Sequence, residues 1–164
     1  MHTKPAFALI ILCFFSLYLS AQDYIYTLRW LEPYTHTYRI RAEVEPQTEA
    51  YTDFRMPSWR PGRYRLQDYS AAVTQPSAVD ESGKELSVQK IDKDTWRVRH
   101  GAVQKVCFVY DIYAANIDAG SSYRGDGFAY FNPINLFVHV PGRMEGTVVL
   151  EVPELPKTGR LPRS

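Results

Sequence analysis

From Tyr24 onward, apolar and polar residues alternate with a period of two, as expected of half-buried strands and not of helices. Tyr38, Ile40, Ala42 and Val44 alternate with Thr37, Arg39, Arg41 and Glu43, which sends the first set to a core face and the charges to water. Trp96 and Val98 alternate in the same way with Thr95, Arg97 and Arg99. Val106, Phe108, Tyr110 and Ile112 line one face of the next run, and Val109 and Tyr113 on its other face predict a central strand buried on both sides. Val148, Leu150 and Val152 form a last strand ended by Pro153. Turn signals separate these runs: Glu45-Pro46, Arg60-Pro61-Gly62, Glu81-Ser82-Gly83-Lys84, His100-Gly101 and Pro141-Gly142. Short strands spaced in this way predict an all-β antiparallel sandwich joined by short hairpins. Helix is expected only as a turn or two, near Leu66 to Ala72. One segment differs in character. Asn116 to Asn135 carries Gly120, Gly125 and Gly127 among Tyr123, Arg124, Phe128 and Tyr130, a long glycine-rich aromatic loop of the kind that makes contacts.

The N-terminus breaks the alternation. Lys4 supplies a positive start, Ala6 to Leu19 an apolar run, and Leu19-Ser20-Ala21 a small residue before a cut, so residues 1–21 are expected to be a cleaved signal peptide. The run falls short of the roughly 20 apolar residues of a spanning helix, and Gln22 and Asp23 follow it, so no stable membrane anchor is expected. Cys13 leaves with the signal, and Cys107 has no intrachain partner; burial as an inert small hydrophobe is expected for it. The rest is a single domain, 22–152, with 153–164 as a truncated tail or the start of a link to a further domain. The chain has 19 Lys and Arg against 18 Asp and Glu, and Lys4 goes with the signal, so the mature protein is neutral. Neutrality speaks against a nucleic-acid partner.

Catalytic patterns are missing. Zinc peptidase chemistry on a helix requires H-E-x-x-H, so that two imidazoles reach one metal while the carboxylate activates water, and no such string occurs. His36, His100 and His139 lie far apart in sequence, the first two expected at the surface and His139 on a strand face. No serine occupies a G-x-S-x-G elbow, and no glycine pattern fits a phosphate loop. Asp118 and Asp126 flank the glycine-rich loop without calcium-binding spacing and are expected to be ordinary loop acids. No catalytic, metal-binding or cofactor-binding residue is therefore assigned.

The most distinctive string is Met56 to Tyr64. Pro61 fixes φ at the first central position of a turn and Gly62 accepts positive φ at the second, which predicts a type II turn flanked by Trp59 and Tyr64. Two rings on one rigid turn make either a packed corner or an exposed platform. With Pro57, Trp59, Pro61, Gly62 and Tyr64 in place, further features follow in order: Asp68-Tyr69, Gly83 to Leu86, Lys90, Asp92, Lys93 and Trp96, and Val109 to Ala114. Over Tyr24 to Val152 this series resembles the N-terminal domain of the glycyl aminopeptidase family of zinc peptidases, family sixty-one of the metallopeptidases. The resemblance implies a noncatalytic domain that packs on a following thermolysin-like peptidase domain and helps shape its cleft, with a PDZ domain commonly after it. Zinc and H-E-x-x-H would belong to that peptidase domain. Trp59, Pro61, Gly62, Tyr64 and Trp96 are the candidate structural or interface residues; Tyr123, Arg124, Phe128 and Tyr130 are the candidate contact loop. A signal peptide implies a periplasmic or extracellular location. The alternative is a stand-alone exported module that binds glycan or peptide through the rings of the aromatic loop.

Overall fold

The structure, a computed structural model, describes residues 24–48, 50–118 and 120–153. The expected signal peptide, 1–21, lies outside the described residues, as does the expected tail beyond Pro153. The strands are β1 (Tyr24–Trp30), β2 (Thr37–Val44), β3 (Tyr51–Arg55), β4 (Val73–Asp80), β5 (Glu85–Lys90), β6 (Thr95–Arg99), β7 (Val106–Tyr113), β8 (Tyr123–Arg124), β9 (Ala129–Tyr130) and β10 (Val148–Glu151). Helical structure among the described residues consists of single 3-10 turns at Pro33–Thr35, Tyr69–Ala72 and Pro133–Asn135. The second falls where the sequence predicts one.

Eight strands form one sheet in the order β10-β1-β2-β7-β4-β5-β6-β3, and β8 pairs with β9 apart from it. Strand β5 joins the two halves. Its first residues, Glu85 and Leu86, pair with β4, and Ser87 to Lys90 pair with β6, so the sheet folds over along this strand. Side chains of the two halves then meet face to face as in a sandwich. Phe54 of β3 stacks on Phe108 of β7 at 5.0 Å between ring centroids, and Trp96 of β6 lies 6.0 Å from the same ring. The alternation read from β2 holds, with Tyr38, Ile40, Ala42 and Val44 in the core.

Strand β7 is central, between β2 and β4, but its outer face is only partly covered. Cys107 and Asp111 are buried there, Val109 is half-buried and Tyr113 is exposed. Asp111 is tolerated because Arg39, its cross-strand neighbour, donates two hydrogen bonds to its carboxylate at 2.7 and 2.8 Å.

One pairing departs from the antiparallel expectation. Strand β10 runs parallel to β1, Tyr24 opposite Val148 and Thr27 opposite Glu151. The cause is the segment before it. Residues 136–140 cross the sandwich as a strap, with Leu136, Val138 and Val140 buried. Arg55 and His139 exchange two backbone hydrogen bonds of 2.8 Å, which hold the strap to the edge of β3. On the other side three phenols serve its backbone. Tyr26 donates to the Val138 carbonyl (2.5 Å), Tyr110 donates to the Leu136 carbonyl (2.6 Å) and accepts from Val138 N–H (3.2 Å), and Tyr24 accepts from Val140 N–H (3.0 Å). A turn at Pro141-Gly142 ends the strap, with Gly142 at φ +81° and Arg143 N–H bonded to the Val140 carbonyl. The chain thus re-enters the sheet at the end where β1 starts, and β10 must run alongside it.

The registers place the connections 31–36, 56–72, 91–94 and 114–135 at one end, where β1, β3, β5 and β7 finish, and 56–72 and 114–135 are the two longest. The opposite end carries 45–50, 81–84 and 100–105.

Candidate functional site

The Met56 to Tyr64 string leads the loop end. Gly62 has φ +79° and Arg63 N–H reaches the Arg60 carbonyl at 3.4 Å, the geometry predicted for Pro61-Gly62. Gln67 N–H bonds the Ser58 carbonyl at 2.8 Å and closes the loop at its base. Between these two points large apolar side chains project: Trp59 is 50% exposed, Tyr64 fully so and Leu66 75%. In this domain the turn therefore presents exposed rings. Trp96 is different. It is buried on β6 against Phe108, with Lys90 Nζ 4.8 Å from its ring centre, and is a core residue.

Behind the platform, Ser70 Oγ lies 3.0 Å from Asp68 Oδ1 and 2.8 Å from the Lys93 carbonyl, while Lys93 Nζ reaches Asp68 at 3.4 Å. The Ser70 hydroxyl first, and Lys93 after it, hold the Asp68 carboxyl below its ordinary value. Asp68 and Lys93, features of the motif series separated along the chain, thus form one tie between two loops.

The aromatic loop contains a small hairpin, with Tyr123 opposite Tyr130 and Arg124 opposite Ala129. Tyr38 anchors it from the core, its hydroxyl 2.6 Å from the Tyr123 carbonyl and 3.1 Å from that of Tyr130. Arg124 is buried. Its guanidinium donates to the Gly125 and Leu31 carbonyls and lies 5.9 Å from the Trp30 ring centre. It is an internal anchor and not a contact residue. Tyr123, Phe128 and Tyr130 stack on one another, with centroids 4.8 to 6.4 Å apart and small interplanar angles. Gly125 lies against the Tyr123 ring, where any Cβ would collide. These rings spend their faces on each other, and Phe128 alone of the three is exposed.

The two loops touch. The Arg60 guanidinium packs on Gly120 so closely that a Cβ there would fall 2.1 Å from Arg60 Nη2. Beside this contact opens a pocket of about 240 Å³, lined by Arg63, Asp68 and Tyr69 from one side and by Tyr113, Asp118 and Ser121 from the other. The Tyr69 hydroxyl is buried without a partner. Asp118 accepts the Gly120 N–H at 2.6 Å, the part of a loop acid. The histidines stay apart: His36 is bound to the Arg124 carbonyl and His100 to Thr52, while His139, in the strap, bonds Arg55 of β3 through its backbone. No three His, Cys, Asp or Glu side chains gather as metal ligands among the described residues. Cys107 is buried, and burial pushes its thiol up to about 12, which makes it inert as a nucleophile.

The strap and the Arg60–Gly120 contact have no counterpart in the motif reading. A signal for the strap exists, since Leu136, Val138 and Val140 alternate with Phe137 and His139. None exists for the contact, which joins residues 60 positions apart.

The fold is a β-sandwich with its two longest loops, 56–72 and 114–135, at one end. The profile of the Peptidase M61 N-terminal domain matches residues 25–160, and the chain belongs to this family. Among solved structures, the aminopeptidase N family protein of Idiomarina loihiensis superposes with a TM-score of 0.71 at 22% identity, over 86% of this chain and 26% of that one. At that identity the likeness shows the fold, and the chain spans about a quarter of the other's length. An M1 zinc metallopeptidase of Deinococcus radiodurans, solved with a Tyr-Ser-Ala substrate, covers 68% of this chain and 26% of its own at 12% identity, with a TM-score of 0.36 that carries no argument. A search of curated proteins finds no match.

Proposed function

We propose that this domain is the noncatalytic N-terminal part of an exported zinc aminopeptidase, where it packs on the peptidase domain and helps to wall the substrate cleft. The observation that carries the proposal is the family match across 25–160. The loop end supports it, because two tied loops that expose Trp59, Tyr64 and Leu66 leave apolar surface for a neighbour to cover. Zinc would be held by the peptidase domain, and a PDZ domain would follow that. Residues 1–21 would direct the protein to the periplasm or the exterior and be removed there. The stand-alone glycan-binding alternative gains nothing from rings that stack on each other.

The test compares the full-length parent with a version lacking residues 22–152. Loss of peptidase activity or a lowered unfolding temperature of the peptidase domain is expected. Unchanged activity and unchanged stability would overturn the proposal.

A further inference from the structure

We infer that the loop end is the face on which the following peptidase domain docks; this rests on the function just proposed and adds the surface to it. Of the twelve bulky apolar side chains exposed among the described residues, eight belong to connections at this end or to the strand terminus beside them. Trp59, Tyr64 and Leu66 stand on one side of the pocket, Tyr113 at its wall, and Ile117 and Phe128 on the loop opposite. The Arg60 guanidinium packs on Gly120 where the two sides meet, and the Asp68–Lys93 pair links the first side to residues 91–94, so part of the face is ordered before association.

The topology names the occupant. Strand β10 is parallel to β1, and β1 finishes at the loop end, so β10 itself runs toward this face and not toward the opposite end. The family match continues through residue 160, past the last strand. A domain tethered beyond β10 would meet the loop end at a high effective concentration. The chemistry of its surface follows from what it must cover. Apolar side chains would fill the centre over Tyr64, Leu66 and Tyr113, and carboxylates would meet Arg63 and Arg65 at the rim.

Alkylation of single introduced cysteines in the full-length parent tests the face. Tyr64→Cys marks the loop end and Met144→Cys the opposite end; both positions are strongly exposed in this domain. Arg29→Cys marks the outer face of β1. With iodoacetamide, and mass spectrometry of the peptides, position 64 is expected to react about tenfold slower than 144 and 29. Rapid reaction at 64 with slow reaction at 144 or 29 would overturn the docking face while leaving a packed peptidase domain in place. Equally rapid reaction at all three would overturn both this inference and the function it rests on. Protection at 64 that disappears on dilution would identify a second copy as the occupant, which also overturns it.

Discussion

Gly62 sits at φ +79° with nothing within 4 Å of the place a Cβ would take, so substituting it carries a conformational cost and no steric one. An alanine held in the left-handed region costs about 1 kcal/mol or somewhat more. Gly62→Ala is therefore expected to lower stability by about that much in urea unfolding, whereas Gly101→Ala, equally uncrowded and outside the left-handed region, is expected to leave it unchanged or slightly raised. A neutral Gly62→Ala would mean that the turn relaxes to another type. This turn was legible in the sequence because Pro61 and Gly62 act locally, each through its own φ. Gly120 looks like the same residue type doing the same work, yet its reason is the Arg60 guanidinium arriving from another loop. Nothing within a few residues of Gly120 could have revealed it.

Legibility at the level of elements followed the strictness of alternation. Strands β2, β6 and β7 keep one face apolar throughout and could be placed from the sequence alone. Strand β4 could not, because Gln75 has φ +51°, Pro76 lacks an N–H, and the register with β7 shifts between Thr74 and Ser77. The strap was missed because it pairs with β3 at Arg55–His139 while side-chain phenols serve much of its remaining backbone. Tyr110 is the sharpest probe of that arrangement. Its buried hydroxyl serves both the Leu136 carbonyl and the Val138 N–H. Tyr110→Phe leaves both groups unsatisfied and is expected to cost about 1–3 kcal/mol in urea unfolding, with Tyr34→Phe, on the exposed turn after β1, neutral. His139 gives the strap a pH dependence. Burial, and then the positive charge of Arg55, hold its imidazole below the ordinary value of 6.5. The unfolded chain therefore takes up the proton first, and this part of the stability, present above that value, is lost as the pH falls through the folded value. The drop in Tm between about pH 7 and pH 5 is expected to shrink in His139→Gln. An equal drop in both proteins would show that other groups set the acid limb.

For the molecule as a whole, the decisive feature is that one sheet supplies both layers. The family placement was legible because its motif residues sit in turns and strand faces, where spacing survives in one sequence. The loop end was not, since its parts come from 56–72 and 114–135 and meet only after folding. The same continuity sets the cooperativity. Strand β5 pairs with β4 through its first residues and with β6 through the rest, so neither layer can separate without breaking a shared strand. Phe108 lies where the layers meet, fully buried, touching Phe54 from β3, Trp96 from β6 and Tyr110 beside it on β7. Phe108→Ala removes a ring from that junction and leaves a cavity that the surrounding strands cannot collapse into, at a cost of about 3–5 kcal/mol. Because the layers share strand β5, the loss is expected to lower one common transition. Far-ultraviolet circular dichroism, which reports the strands, and near-ultraviolet signals of the buried rings should shift together to lower urea with coincident midpoints. If the ring signals were lost first and the strand signal persisted, the two layers would be independent units joined at β5, and the single-body account of this sandwich would fall.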